Sequence, residues 1–434
     1  MTTHTSTPHR YRAPALALTA VLGATLTACG AASAAPTPTH TAPHSAKPTP
    51  SPAARGALAA AARKAVDAGA TGVIVRVDDG RHPAITIADQ AGWTTAGHRL
   101  SASDEFRMGS NTKTMVATLV LQLVAEHRLA LTDPVEQWLP GLVPNGRAIT
   151  VRMLLNHTSG LFNYLYDPAV LAAYTGRDTH HWTPEELLAA GTAHPPQFAP
   201  GARFSYSNTN YIALGLILQR ATGHSLAALI QQRIARPLHL RHTYLPSSPF
   251  VGRRLAHGYE PDAAHLAPLL PMGTPPGTSF AGPHRGTADV DTTAVNQSTL
   301  WAAGGVVSTA EDWARFDTAL LSGRLLPAAL LAEMRTTVPE DPAAPKGDGY
   351  GLGLRKVDFP CGTVWGHDGQ AAGYSSETYS DPRGKRTVAV LTSTVFDLAR
   401  PRAAAAHQAL VNAAVCAMLD KRLPTGSSPS PTTR

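Results

Sequence analysis

Much of what would mark a metalloenzyme, a nucleic-acid binder or a membrane-spanning protein is missing from this sequence. No H-E-x-x-H pair is present, and the adjacent His180 and His181 would point apart, so no metal and no other cofactor is expected. The 37 Lys and Arg outnumber 30 Asp and Glu for a net charge of +7. They are scattered, however, with no dense basic run and no nucleic-acid motif. The excess reads as mild attraction to anionic envelope polymers or lipid headgroups, and nucleic acid is excluded as a partner. Beyond the N-terminus no stretch reaches the roughly 18 apolar residues of a membrane helix. There is no G-x-S-x-G elbow and no internal repeat. Cysteine is scarce, with three in 434 residues.

What is present begins with a targeting segment. His9, Arg10 and Arg12 form a basic head, and residues 13–27 form an apolar core too short to span a bilayer. It ends in Leu26-Thr27-Ala28-Cys29-Gly30, which resembles a bacterial lipobox. Residues 1–29 therefore read as a lipoprotein signal peptide with Cys29 lipidated, and the protein as extracytoplasmic and anchored to the membrane by lipid alone. Cleavage near Ala32-Ser33-Ala34 would instead release a secreted form. Residues 30–53, rich in Pro and Thr, cannot build a core and read as a tether; residues 423–434 read as a disordered tail. Export places Cys361 and Cys416 in an oxidising compartment, where a disulfide between them is expected.

The chain is organised around residues 106–125, FRMGSNTKTMVATLVLQLVA. Their last two-thirds are apolar almost all round, which demands a buried helix. The helix nevertheless opens with Ser110, Asn111, Thr112 and Lys113. Ser110 and Lys113 are three apart and share a face of the first turn. The helix N-terminus carries about half a positive charge, which favours an alkoxide at Ser110. The same field, with burial, pushes Lys113 towards the neutral amine that can take the serine's proton. Taken alone, S-x-x-K arises by chance in many proteins and reads more readily as an N-cap serine followed by a surface lysine, so its partners decide.

Strand patterns cluster at the two chain ends. They run over residues 71–78, 83–87 and 106–108, and again over 350–357, 362–366, 373–379 and 387–393. An alanine-rich helix over 53–68 and an amphipathic C-terminal helix flank them, while 129–237 read as helices and loops. Residues 246–300 have little periodicity, and so long a loop region inside a domain is usually functional. The expected architecture is α+β: one antiparallel sheet built from both ends, flanked by terminal helices, with an inserted all-helical lobe over about 129–300. Residues 54–422 form the domain, with a site between the lobes.

Three further stretches bear on Ser110. Tyr206-Ser207-Asn208 follows a Pro-Gly turn and precedes a helix. A tyrosine beside a lysine can be partly phenolate, and Asn208 can fix Lys113 and a substrate carbonyl; the bland alternative is a turn tyrosine with an N-cap asparagine. Trp365-Gly366-His367-Asp368-Gly369-Gln370 lies on a late strand whose glycines admit close backbone approach. His157, in Leu155-Asn156-His157-Thr158-Ser159-Gly160, reads as structural.

S-x-x-K, then Y-x-N, then H-x-G, in this order over residues 55–420, resembles the penicillin-recognising serine hydrolases. The likeness is greatest to D-Ala-D-Ala carboxypeptidases and class C β-lactamases. The resemblance implies the β-lactamase/transpeptidase-like fold. It makes Ser110 the acylated nucleophile, Lys113 its proton acceptor or electrostatic partner, Tyr206 the general acid or base, and Asn208 an orienting group. His367 stands where relatives carry His or Lys, and the backbone N–H groups of Ser110 and Gln370 would form the oxyanion hole. Arg355 matches a residue that holds the substrate's terminal carboxylate, and Trp301 an aromatic wall of the cleft. Asp368 and Gln370 depart from the pattern, because carboxypeptidase relatives have threonine at the first and often at the second. An aspartate there repels an anion unless Arg355 neutralises it. The implied function is a D-Ala-D-Ala carboxypeptidase acting on peptidoglycan stem peptides through an acyl-serine and acylated by β-lactams. An esterase, a β-lactamase, a D-amino-acid amidase or a non-catalytic penicillin-binding sensor is the alternative.

Overall fold

Alternation along the strands builds the sheet. In a computed structural model describing residues 52–247, 252–270 and 274–423, the main sheet has eight strands. These are β1 (Gly72–Asp78), β2 (Ile85–Gln90), β3 (Val338–Pro339), β4 (Gly349–Tyr350), β5 (Arg355–Phe359), β6 (Gly362–Ala371), β7 (Tyr374–Ser380) and β8 (Thr387–Thr392). Their order is β2-β1-β8-β7-β6-β5-β4-β3, and every neighbouring pair is antiparallel. The N-terminal β1 lies beside the C-terminal β8, with Val73 opposite Thr392 and Val77 opposite Val388. Both chain ends thus share one sheet, as the strand patterns predict.

The sheet's two faces follow from the period of two. Val73, Val75, Val77, Val388 and Val390 face one way and pack on Leu58 and Ala62 of α1 (Pro52–Ala68) and Leu410, Val411 and Val415 of α5 (Pro401–Met418). Ile74, Ala389 and Leu391 face the larger core. That core holds α2 (Thr112–Ala125), α3 (Thr209–Thr222) and α4 (Ala310–Leu321), the last contributing Trp313, Phe316 and Leu320. A disulfide joins Cys361, at the β5–β6 turn, to Cys416 in α5, with 5.3 Å between their Cα atoms.

Three expectations need correcting. Phe106–Arg107 is a strand but pairs with Val307–Ser308 in a separate two-stranded sheet, outside the main one. The run 350–357 is not one strand. Gly353 N donates to Leu155 O at 3.2 Å and Leu352 N to Met334 O at 3.0 Å, while Gly353 O accepts from Thr114 Oγ1 at 2.8 Å. The backbone between β4 and β5 is turned towards helices and leaves the ladder. The inserted lobe is helical through much of its length but not throughout. Tyr259–Pro261, Asp289–Asp291 and His284–Arg285 form a separate three-stranded antiparallel sheet. Strands of two or three residues leave too little alternation for a sequence pattern to register.

The signal peptide with Cys29 and almost all of the tether and tail lie outside the described residues. The last two tether residues, Pro52 and Ala53, already belong to α1. Among the described residues no single helix is long and apolar enough to cross a membrane.

Candidate active site

The central stretch folds as a 3₁₀ turn, Gly109–Asn111, that runs straight into α2. Ser110 therefore sits just ahead of the α-helix and not within its first turn. Eleven of the fourteen residues of α2 are buried, and its threonines are hydrogen-bonded. Thr112 Oγ1 accepts from Val306 N at 3.0 Å, and Thr118 Oγ1 donates to Thr114 O at 2.7 Å.

Lys113 is 0 % exposed. Its Nζ lies 2.9 Å from Ser110 Oγ, 2.7 Å from Asn208 Oδ1 and 2.6 Å from Ala303 O. Burial lowers the ammonium's pKa well below its ordinary value, with the charge of Asp368 opposing in part. A neutral amine has two N–H donors and one lone pair. Asn208 Oδ1 and Ala303 O are acceptors only, so in the neutral form of the amine they take both donors and leave the lone pair for the Ser110 hydroxyl, to which the ammonium form donates. Asn208 is itself fixed: its backbone N and its Nδ2 both donate to Asn163 Oδ1 at 3.2 Å. That second bond turns the amide oxygen towards Lys113.

Tyr206 is brought beside the pair, with Lys113 Nζ 4.9 Å from its ring centroid. Its hydroxyl is buried without a well-formed hydrogen bond. Burial raises the phenol's pKa well above the ordinary value, and the neighbouring Ser110 hydroxyl only partly offsets this. Tyr206 is therefore a neutral phenol, which corrects the expectation of a partial phenolate, because its burial outweighs the neighbouring hydroxyl. His157 packs against this ring with centroids 4.2 Å apart, and its Nδ1 accepts from Ser207 N at 3.2 Å and Asn210 Nδ2 at 3.0 Å. It is a structural residue, as expected.

β6 closes the other side. Gly109 has φ +50°, and a Cβ there would stand 2.4 Å from Gln370 N; a Cβ on Gly369 would stand 2.0 Å from Met108 O and 2.9 Å from Ser110 N. Only glycine at both positions lets the serine turn and the strand touch backbone to backbone. This contact brings the N–H-bearing backbone of Ser110 and Gln370 together, as an oxyanion hole requires, while the Gln370 side chain is exposed.

His367 needs reassignment. It is 2 % exposed, and its Nδ1 is hydrogen-bonded to the Asp368 carbonyl, which only accepts. Nδ1 therefore carries the proton, and Nε2 accepts from Tyr350 OH at 2.8 Å. Burial pushes its pKa down to about 3, with Asp368 opposing and Lys113 and Arg355 reinforcing. Both ring nitrogens are committed away from Ser110, so His367 holds β6 and Tyr350 in place and is not a proton carrier.

Arg355 is not available to a substrate carboxylate either. Its Nε and Nη2 donate to the two oxygens of Glu340, each at 2.7 Å, and Nη1 donates to Asp368 Oδ1. Its side chain is 14 % exposed. Two carboxylates on one guanidinium leave this trio with a net charge of −1. Trp301 opens the helical turn Trp301–Gly304. Its indole rests on α3 where a Cβ at Gly215 would lie 2.6 Å from the ring, and it lines a cavity to which Ser110, Lys113, Tyr206 and His367 do not contribute.

The sequence reading missed Glu340, Asn163, Tyr350 and the Ala303 carbonyl. Tyr350 lies in the GYGLGL stretch already set apart, so a signal for it existed. Glu340 follows a two-residue edge strand and carried none.

A part-buried hydroxyl on a buried amine, beside a neutral phenol and paired backbone amides, is the arrangement of a serine hydrolase. The chain belongs to the Beta-lactamase family, whose model matches residues 59–413, in accord with the resemblance of its motifs. A D-stereospecific amidohydrolase from Streptomyces sp. is 37 % identical and superposes with a TM-score of 0.68, covering 78 % of this chain and 94 % of that one. The octameric penicillin-binding protein homologue from Pyrococcus abyssi is 25 % identical with a TM-score of 0.67, over 85 % of this chain and 78 % of its own. Esterase EstB of Burkholderia gladioli is 37 % identical over 156 residues, which is 34 % of this chain and 40 % of the esterase. The match thus spans less than half the length of that curated relative.

Proposed function

We propose that the protein hydrolyses D-configured amides or esters whose leaving group carries no carboxylate, through an acyl enzyme on Ser110. The carrying observation is the arginine trio. Arg355, which would serve as the carboxylate receptor of a D-Ala-D-Ala carboxypeptidase, is held by Glu340 and Asp368. A substrate anion would meet net negative charge there instead. The amidohydrolase and esterase among the relatives agree with this reading, and the D-configuration rests on the former.

In the proposed reaction neutral Lys113 takes the Ser110 proton as Oγ bonds to the acyl carbon. The Ser110 and Gln370 N–H groups hold the developing oxyanion, and the Tyr206 phenol supplies the leaving group's proton. The proton on Lys113 passes to Tyr206; water then adds to the acyl carbon and its proton goes to Ser110 Oγ as the ester bond breaks, which releases the acid and restores the resting site. β-Lactams, as strained amides, are expected to acylate the same serine.

The reaction is proposed to take place outside the cytoplasm, on a protein anchored through lipid on Cys29. The Cys361–Cys416 bridge is consistent with an oxidising compartment. Mass spectrometry of the mature N-terminus tests the anchor: a lipid-modified Cys29 supports it, and a chain starting near Ala35 refutes it. Substrate class is tested with a D-amino-acid amide, a neutral ester and an N-acylated D-Ala-D-Ala peptide. The amide and ester should be turned over with at least about tenfold higher kcat/KM than the peptide. A preference for the peptide would refute the reading.

A further inference from the structure

A second site lies behind the nucleophile. A cavity of about 310 Å³ is walled by Trp182, the end of α3, the Tyr244–Leu245 segment, Gln297 and the turn from Trp301 to Val307, with Arg107 lining one side. Its apolar surface comes from Leu226, Leu245, Val307 and Trp301. That size falls at the lower end for small-molecule pockets.

The polar groups are more telling. Arg107 is only 8 % exposed. Its Nη2 donates to Thr293 O at 2.9 Å, while Nη1 has no hydrogen-bond partner among the described residues. The guanidinium faces the Tyr374 ring at 5.3 Å, and the titratable groups that act on it are the neutral phenols of Tyr374, Tyr174 and Tyr244, not carboxylates. An unpaired buried charge is among the most costly features a fold can carry, so proteins normally pair it. Trp182 Nε1, a further donor on a lining residue, likewise has no partner among the described residues, and neither the Nε2 nor the Oε1 of the lining Gln297 amide has one. Trp301, with φ +30°, is in a left-handed conformation that a bulky residue rarely adopts. Such strain clusters at ligand-binding positions.

We propose that this cavity binds a small monocarboxylate, its carboxylate on Arg107 with the Gln297 and Trp182 donors and its hydrocarbon body against Leu226, Leu245 and Trp301. Arg107 Nη1 and Trp182 Nε1 are donors alone and match an anion that only accepts, the Gln297 amide can present its Nε2 to it, and the apolar remainder matches a short chain. The site is distinct from the Ser110 site and stands whatever the substrate there. It nonetheless shares a wall with it: the Trp301–Val307 turn includes Ala303, whose carbonyl holds Lys113.

The test uses the full chain and three probes of equal length: hexanoate, hexylamine and hexan-1-ol. Binding is followed by calorimetry and by the fluorescence of Trp182 and Trp301, before and after Ser110 is blocked with a fluorophosphonate. Hexanoate should bind one site with equal affinity in blocked and free protein, and at least about tenfold more tightly than the amine or the alcohol, as a charge-assisted hydrogen-bonded pair requires. Arg107→Met should weaken it by about tenfold or more. Ala227→Phe, at the half-buried rim, should exclude it sterically and keeps the test decisive if the arginine variant fails to fold. Failure of hexanoate to bind, equal binding of hexylamine, loss of binding after Ser110 is blocked, or unchanged binding in a folded Ala227→Phe variant would each overturn the proposal.

Discussion

Replacing His367 with glutamine should make the protein less sensitive to acid, by an amount that the structure fixes. The imidazole is 2 % exposed, and its folded-state pKa is about 3, against about 6.5 in an unfolded chain. Between these values the unfolded state binds a proton that the native state refuses, so stability falls as pH drops from above 6.5 towards 3. At pH 4 the linkage integral comes to about 3 kcal/mol relative to pH 7.5, more than a hundredfold in the unfolding constant. Glu260 and Asp289, both raised to about 8, act in the opposite sense: their protonation favours the native state as pH falls through that region. They are common to both proteins, so they cancel in a comparison. His367→Gln keeps an acceptor for Tyr350 OH and has no charge to gain. Urea unfolding of wild type and variant, followed by tryptophan fluorescence at pH 7.5 and pH 4, measures the effect. The wild type should lose about 3 kcal/mol more than the variant on acidification. Equal losses would mean that His367 is protonated without penalty in the native state, and the account of it as a neutral, fully committed ring would be wrong.

Three other outcomes follow from the site. Because burial depresses the Lys113 pKa, the rate of Ser110 labelling by a fluorophosphonate should rise along an acid limb centred well below about 10.4. Lys113→Arg, permanently charged, should slow labelling by about a hundredfold or more, and Ser110→Ala should abolish it; a limb near the ordinary lysine value would contradict the buried amine. Asp368→Thr takes the trio with Glu340 and Arg355 from −1 to neutral. At about 7 Å and an effective dielectric of 20 that removes about 2 kcal/mol of repulsion, roughly thirtyfold in kcat/KM for a D-Ala-D-Ala peptide, while a neutral ester changes little; equal changes for both substrates would refute selection by charge. Changing Cys361 and Cys416 together to serine opens a loop spanning 55 residues and should cost up to about 4 kcal/mol by chain entropy, measurable by urea unfolding; unchanged stability would show that the bridge constrains nothing.

The primary sequence was enough to determine the helix that carries Ser110 and Lys113, because an all-apolar run leaves a chain no choice but burial, and the polar opening of that run is then conspicuous. It also determined that both chain ends share one sheet, since valines alternating over residues 72–78 and 387–392 need a common core. Cys361 and Cys416, the two cysteines left beyond Cys29, were paired by the same economy. Tertiary structure alone decided what depends on which side chains meet from far apart in the chain. His367 is committed to Tyr350 and to its neighbour's carbonyl, and Trp301 to Gly215, and neither partner shows in a local motif. Arg355 is claimed by Glu340 across an edge too short to carry a pattern. The pKa shifts belong to this second class as well: the same lysine and tyrosine would titrate normally at a surface, and it is their burial that pushes both towards their uncharged forms.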